Sequence, residues 1–164
     1  MIIVGTKLNR GLFSSVSGDW ATPVQLMEAL RTEFPFTMDA CASAGNHQAE
    51  EWFGEDSDGL GAVEWRGVVW CNPPYGREIE AWIEKAIREA ERGATIVMLL
   101  PARTDTRWFH ALALPFAAEI RFLRGRLSFR LIGKRVDGRA PFPSLLLVFR
   151  PAETFEVTGY VRER

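Results

Sequence analysis

Four consecutive residues, Asn72-Pro73-Pro74-Tyr75, combine an amide, a rigid diproline and an aromatic ring directly after the apolar run Val68-Val69-Trp70-Cys71. Proline has no N–H to give to a ladder and keeps the preceding residue extended, so Asn72 and Pro73 must end the strand with their carbonyl groups fixed. The side-chain oxygen of Asn72 and the carbonyl of Pro73 then form a prepositioned pair of acceptors. Such a pair suits a planar amine whose lone pair is delocalised into a ring. Binding both of its hydrogens favours the pyramidal nitrogen, which is the nucleophilic form, and acceptors that are already in place do so without reorganising. Tyr75 adds a face on which a flat substrate can stack. Asn-Pro and Pro-Pro also punctuate ordinary turns. What gives this run weight is its placement between a buried strand and an amphipathic helix, because ligands of open α/β sheets bind at the carboxyl ends of strands.

The surrounding pattern predicts such a sheet. "DWATPVQLMEALRTEF" reads as a helix with Thr22 as N-cap, Pro23 at the first helical position and Gln25 at capping-box spacing; Val24, Met27, Leu30 and Phe34 recur on one face. "FTMDACA" is a short strand ending in Asp39 and small residues, and "SAGNHQAEEWF" is weakly helical. "GVVWC" is the second strand. "EIEAWIEKAIREAER" is the strongest helix, with Ile79, Trp82, Ile83, Ala86, Ile87 and Ala90 at helical spacing and Gly93 as a stop. "ATIVMLL" has the continuous apolar character of a parallel strand covered on both faces. "DTRWFHALAL" predicts a helix, "EIRFLR" a fourth strand and "PSLLLVFR" a fifth. Alternating strands and helices indicate an open, mostly parallel α/β sheet with right-handed crossovers. The last two strands, joined only by a basic loop at 124–141, should pair as a C-terminal antiparallel hairpin. The first 17 residues read as a loose arm, and the rest as one domain.

The chain has 164 residues, 47% hydrophobic and 25% charged, and nothing in it approaches the length of a membrane span. The start lacks the features of a signal peptide, so the cytoplasm is the default location. Cys41 and Cys71 lie far apart without a C-x-x-C, and there are only two histidines, which argues against a metal site or a disulfide scaffold. The net charge of −1 is unevenly spread. Residues 39–64 hold seven acids and no Lys or Arg, whereas residues 121–139 hold seven Lys or Arg against Asp137 alone. One cationic face could meet a phosphate backbone, although a solvated Arg-rich loop accounts for the charge equally well.

An Asn-Pro-Pro-Tyr run at a strand end is the signature of methyltransferases that act on the amino groups of bases. A methyl donor must then lie beside Asn72. The neighbouring strand end is the natural place, since Ala40, Ala42 and Ser43 permit close approach and Asp39 can attract a positive charge. Its alternative is an ordinary strand end with a hydrogen-bonded Asp, and Trp20 and Thr22 are likewise either cofactor contacts or a helix cap with its anchor. Taken together, "DWATPVQL", "FTMDACAS", "DGL", "WCNPPYG", "MLLPARTDTRWF", "RFLRGRLSF" and "PFPSLLLVF" resemble the phage-type DNA N-6-adenine methyltransferase family, the Dam-like enzymes, from about Gly18 to Phe149.

The resemblance implies a truncated Rossmann-like methyltransferase fold, S-adenosylmethionine as cofactor with S-adenosylhomocysteine as product and no metal, and the 6-amino group of a flipped adenine in DNA as acceptor. By motif, Asn72, Pro73, Pro74 and Tyr75 become the catalytic loop. Asp39, Ala40, Cys41 and Ala42 become the cofactor wall, with Trp20, Thr22 and Pro23 beside it. Only 28 residues separate Asp39 from Val68, too few for the usual further strands, so the sheet should be truncated there. Asp58 substitutes for the ribose-binding acid, with Leu60 near the cofactor adenine; a surface-loop Asp is the competing reading. There is no room for a separate recognition domain, so DNA contacts fall to Arg103, Arg107, Arg124, Arg126, Lys134 and Arg135. A homodimer is one way for so small a chain to cover its site. If the chain is phage-encoded, its location is the bacterial host cytoplasm. Rival readings are an RNA-adenine or protein-glutamine methyltransferase with the same chemistry, and a non-catalytic nucleic-acid-binding protein on a degenerate scaffold.

Overall fold

The computed structural model describes residues 20–54, 58–61, 63–131 and 137–151. Among them a six-stranded sheet runs in the order β3-β2-β4-β5-β9-β6. Its strands are β2 (Met38–Asp39), β3 (Glu51–Trp52), β4 (Val68–Cys71), β5 (Thr95–Pro101), β6 (Glu119–Phe122) and β9 (Ser144–Phe149). The pairs β3·β2, β2·β4 and β4·β5 are parallel; β9 is antiparallel to both β5 and β6. The fold is therefore mixed α/β, with a parallel half and an antiparallel half that includes the expected hairpin.

Strand parity divides the core. Ile96, Met98 and Leu100 of β5, with Val69 and Cys71 of β4 and Leu145, Leu147 and Phe149 of β9, face α2 (Ile79–Glu91). The alternate residues Val97, Leu99, Trp70, Leu146 and Val148 face α1 (Val24–Arg31) through Met27 and Leu30, with Phe34 beyond the helix end. Period-2 side chains and two covered faces explain why "ATIVMLL" carries no polar position after Thr95. Each large side chain buried there contributes roughly 1.5–3 kcal/mol relative to exposure. α2 buries Ile79, Trp82, Ile83, Ala86 and Ala90 and stops at Gly93, whose φ of +110 is readily accessible only to glycine.

Several expectations are corrected. α1 begins at Val24, with Pro23 as an extended N-cap (ψ 133) and no side-chain cap, so Thr22 does not cap it. Trp20–Ala21 forms β1, paired with β7 (Ser128–Leu131), and this draws the chain extended through Pro23. Thr22 is buried instead, and Val24 is half exposed rather than on the inner face. Residues 43–53 are not helical. Buried Asp39 accepts the N–H groups of Cys41 (3.2 Å) and Gln48 (2.9 Å), folding a turn that delivers β3 to the sheet edge. "FTMDACA" pairs only through Met38–Asp39. The helix in "DTRWFHALAL" contains a π-helical turn at Phe109–Ala113, followed by the short α3 (Leu114–Phe116). The basic segment is not merely a loop: β7 and β8 (Asp137–Arg139) form a second sheet with β1, and Phe129 and Ala140 pack with α1. The arm at 1–17, Lys134 and Arg135 lie outside the described residues.

Candidate active site

The parallel strands β2, β4 and β5 direct their carboxyl ends to one edge, in register Asp39↔Trp70 and Cys71↔Met98. β9 begins at the same edge, with Pro101 opposite Ser144 and the Ala102 N–H donating to the Pro143 carbonyl at 2.8 Å. Asn72 follows directly from β4. Pro73 is buried, and its carbonyl accepts no hydrogen bond among the described residues. The Tyr75 hydroxyl donates to Asn72 Oδ1 at 2.9 Å, and the edge of its ring meets Phe142 at 5.5 Å between centroids. Burial, reinforced by Cys71, pushes the Tyr75 hydroxyl well above its ordinary range, so it remains a donor. Burial likewise raises the Cys71 thiol far above its usual value. Cys71 is thus no thiolate nucleophile of the kind needed to activate a ring carbon.

Beside this motif a cleft of about 200 Å³ is lined by Ala40, Cys41, Ala42, Phe53, Gly54, Asp58, Gly59, Leu60, Pro74, Glu78 and Trp82. It joins the diproline to the ends of β2 and β3. Gly59 approaches the Ala40 carbonyl so closely that a Cβ would lie 2.1 Å from that oxygen. The loop is held from behind by Trp65, whose indole N–H donates to the Gly59 carbonyl at 2.9 Å, and by Lys85. The Lys85 ammonium, 3% exposed, donates to the carbonyls of Gly61 (3.1 Å) and Val63 (2.6 Å) and to Glu89 (3.2 Å). Asp58 adopts φ +44 and accepts the Gly61 N–H at 2.9 Å.

Ala40, Cys41, Ala42, Asp58 and Leu60 therefore line one cleft, as their motifs suggested. Asp39 does not. Its carboxylate, 1% exposed, is turned onto the Cys41 and Gln48 N–H groups, and burial outweighs those bonds to raise its pKa to about 7. Thr22 and Pro23 are also absent from the lining, and Trp20 lies in β1 against β7. Phe53, Gly54, Gly59, Glu78 and Trp82 were not anticipated at the cleft. Glu78 and Trp82 stand four apart at the start of α2, a spacing visible in the sequence but equally that of a core face.

Among the arginines, Arg103 follows β5 at the site edge, and Arg124 and Arg126 lie in the β6–β7 connection around Gly125; all three are exposed and, among the described residues, without an ion pair. Arg107 instead pairs with Glu80. Arg121 is held by Glu33 and Glu119, with Arg150 joining the network, and these bonds raise its pKa further. Among the described residues, no three His, Cys, Asp or Glu side chains gather as a metal site requires, and no helix is long and apolar enough to cross a membrane.

Fold and site together define an α/β protein with a ligand cleft at the carboxyl edge of its parallel strands and a fixed pair of acceptors beside it. The sequence profile of the DNA N-6-adenine-methyltransferase (Dam) family matches residues 11–163, and the chain belongs to that family. It is 33% identical over 139 residues to a DNA N-6-adenine-methyltransferase of Escherichia phage T1, covering 82% of this chain and 55% of that protein. It is 28% identical over 138 residues to a DNA N-6-adenine-methyltransferase of Haemophilus phage HP1 (strain HP1c1), covering 80% and 78% respectively. The chain thus spans about half the length of the T1 relative.

Proposed function

We propose that this protein moves a methyl group from S-adenosylmethionine to the exocyclic 6-amino group of an adenine in DNA. The observation that carries the reading is the strand end itself: Asn72 Oδ1 and the unengaged Pro73 carbonyl stand beside a cleft walled by small residues, in a chain of the Dam family. S-adenosylmethionine supplies, when bound, a methyl carbon attached to a positively charged sulfur.

The cleft suits one part of such a cofactor. Phe53 and Leu60 offer apolar surface for a purine, Asp58 and Glu78 offer carboxylates for hydroxyls or an ammonium, and the close contact of Gly59 with Ala40 keeps the wall thin. Its 200 Å³ is below the roughly 300–1,000 Å³ typical of whole-ligand pockets, so these residues would hold only part of the cofactor. We read the fold accordingly as a truncated, Rossmann-like methyltransferase domain.

The chain's own residues then act on the acceptor base. Asn72 Oδ1 and the Pro73 carbonyl accept the two amine hydrogens and localise the lone pair on nitrogen. The Tyr75 ring stacks on the base, which must leave the duplex to reach this depth. As the amine nitrogen bonds to the methyl carbon, the carbon–sulfur bond would break and leave a neutral thioether; the nitrogen, held by both acceptors, then releases one hydrogen as a proton to water. No general base is needed before transfer. Arg103, Arg124 and Arg126 are exposed cationic groups that can meet the DNA backbone or base edges.

Asn72→Ala tests the assignment: methylation of DNA should fall below detection while S-adenosylhomocysteine still binds by calorimetry. Retained turnover would remove the motif from the chemistry.

A further inference from the structure

Trp82 stands one helical turn after Glu78 on the cleft wall, and it is 6% exposed. Its ring stacks on Trp65 at 6.0 Å between centroids and 26° between planes. The two indoles differ in one respect. Trp65 gives its N–H to the Gly59 carbonyl, whereas the Trp82 N–H is buried with no acceptor within hydrogen-bond reach among the described residues. An unpaired buried donor is destabilising, and folded proteins contain few. Such a group in a residue that lines a ligand cleft is accounted for when the ligand supplies the acceptor.

The rest of the lining narrows the ligand's chemistry. Side-chain carboxylates of Asp58 and Glu78 provide acceptors, Phe53 and Leu60 provide apolar faces, and Trp82 holds the one side-chain N–H among the lining residues. An adenosine group matches this set, having hydroxyl and amine donors for the carboxylates, a flat ring for the apolar faces, and ring nitrogens and ribose oxygens as acceptors. We propose that Trp82 Nε1–H donates a hydrogen bond to an acceptor atom of the cofactor's adenosine moiety and so fixes its position in the cleft. This rests on the cofactor assignment made above.

Replacing Trp82 with 3-benzothienylalanine, in which sulfur stands where the indole has its N–H, keeps the bicyclic ring stacked on Trp65 and removes only the donor. S-adenosylhomocysteine should bind this variant about five- to 150-fold more weakly than the wild type, the range for one lost hydrogen bond whose partner is left unsatisfied. The ligand-free variant should melt no lower than the wild type, because the N–H has no partner to lose. In the ¹⁵N-labelled wild-type protein, the indole resonance of Trp82 should move downfield with S-adenosylhomocysteine and with adenosine, but not with methionine. Unchanged affinity in the variant, or an indole resonance that stays in place while the ligand binds, would overturn the proposal and leave the cofactor assignment standing. A wild-type protein that binds no S-adenosylhomocysteine would overturn both.

Discussion

Tyr75 has two separable parts, a ring and a hydroxyl. In the proposed mechanism the ring is the stacking surface, while the hydroxyl hydrogen-bonds Asn72 Oδ1 at 2.9 Å and so fixes which way the amide points. An amide oxygen has two lone pairs, so one bond from Tyr75 leaves a second site for the amine. Tyr75→Phe should therefore lower kcat about fivefold, the equivalent of one modest hydrogen bond of about 1 kcal/mol. KM for DNA should hold, since the ring remains. Steady-state kinetics separates the outcomes, and a raised KM with kcat intact would assign the hydroxyl to base binding instead. The acceptor pair was legible in the sequence because prolines write their backbone constraint locally. The Tyr75–Asn72 bond was not, because it depends on how the chain turns after Pro74.

At the scale of elements, the end of β2 depends on one buried carboxyl. Asp39 retains its proton in the folded protein up to about pH 7, against an ordinary value of 3.8, because burial outweighs the two N–H bonds from Gln48 and Cys41. Between those values the folded state binds more protons than the unfolded chain, so this group's contribution to stability is full below about pH 4. It declines as the pH rises to about 7 and is flat above. Asp39→Asn should flatten that part of the profile in urea unfolding measured across pH 4 to 8; an unchanged slope would contradict the assignment. The same residue explains what periodicity missed. β5 and α2 follow from local pattern, as Ile96, Met98 and Leu100 or Ile79, Ile83 and Ala86 show. β1 and β3, two residues each, have no period to read and are set by distant partners: β7 for one, and β2 with its Asp39 turn for the other. Phe53, Gly54 and Gly59 reach the cleft through those partners, and Trp82 shares the helical spacing of the core-facing residues of α2.

Across the whole molecule, charge is sorted by what neutralises it. The basic stretch at 121–139 was visible in composition, but composition could not show that Arg121 is held by Glu33 and Glu119 while Arg124 and Arg126 remain exposed, without ion pairs among the described residues. Phosphate contacts release counterions, so each one lost reduces the dependence of log affinity on log salt by about one. Arg124→Ala and Arg126→Ala should each weaken DNA binding and lower that slope, measured by anisotropy over a salt series. Arg121→Ala should leave the slope unchanged and lower the melting temperature instead. The reverse pattern would place the DNA face elsewhere.

The central claim concerns one nitrogen atom, and one experiment addresses it: incubation of the protein with methyl-labelled S-adenosylmethionine and unmethylated DNA, followed by digestion and nucleoside analysis. Label should appear in N6-methyladenine with the wild-type chain and be lost with Asn72→Ala. Label in methylcytosine, or undiminished methyladenine from the Asn72 variant, would contradict the account.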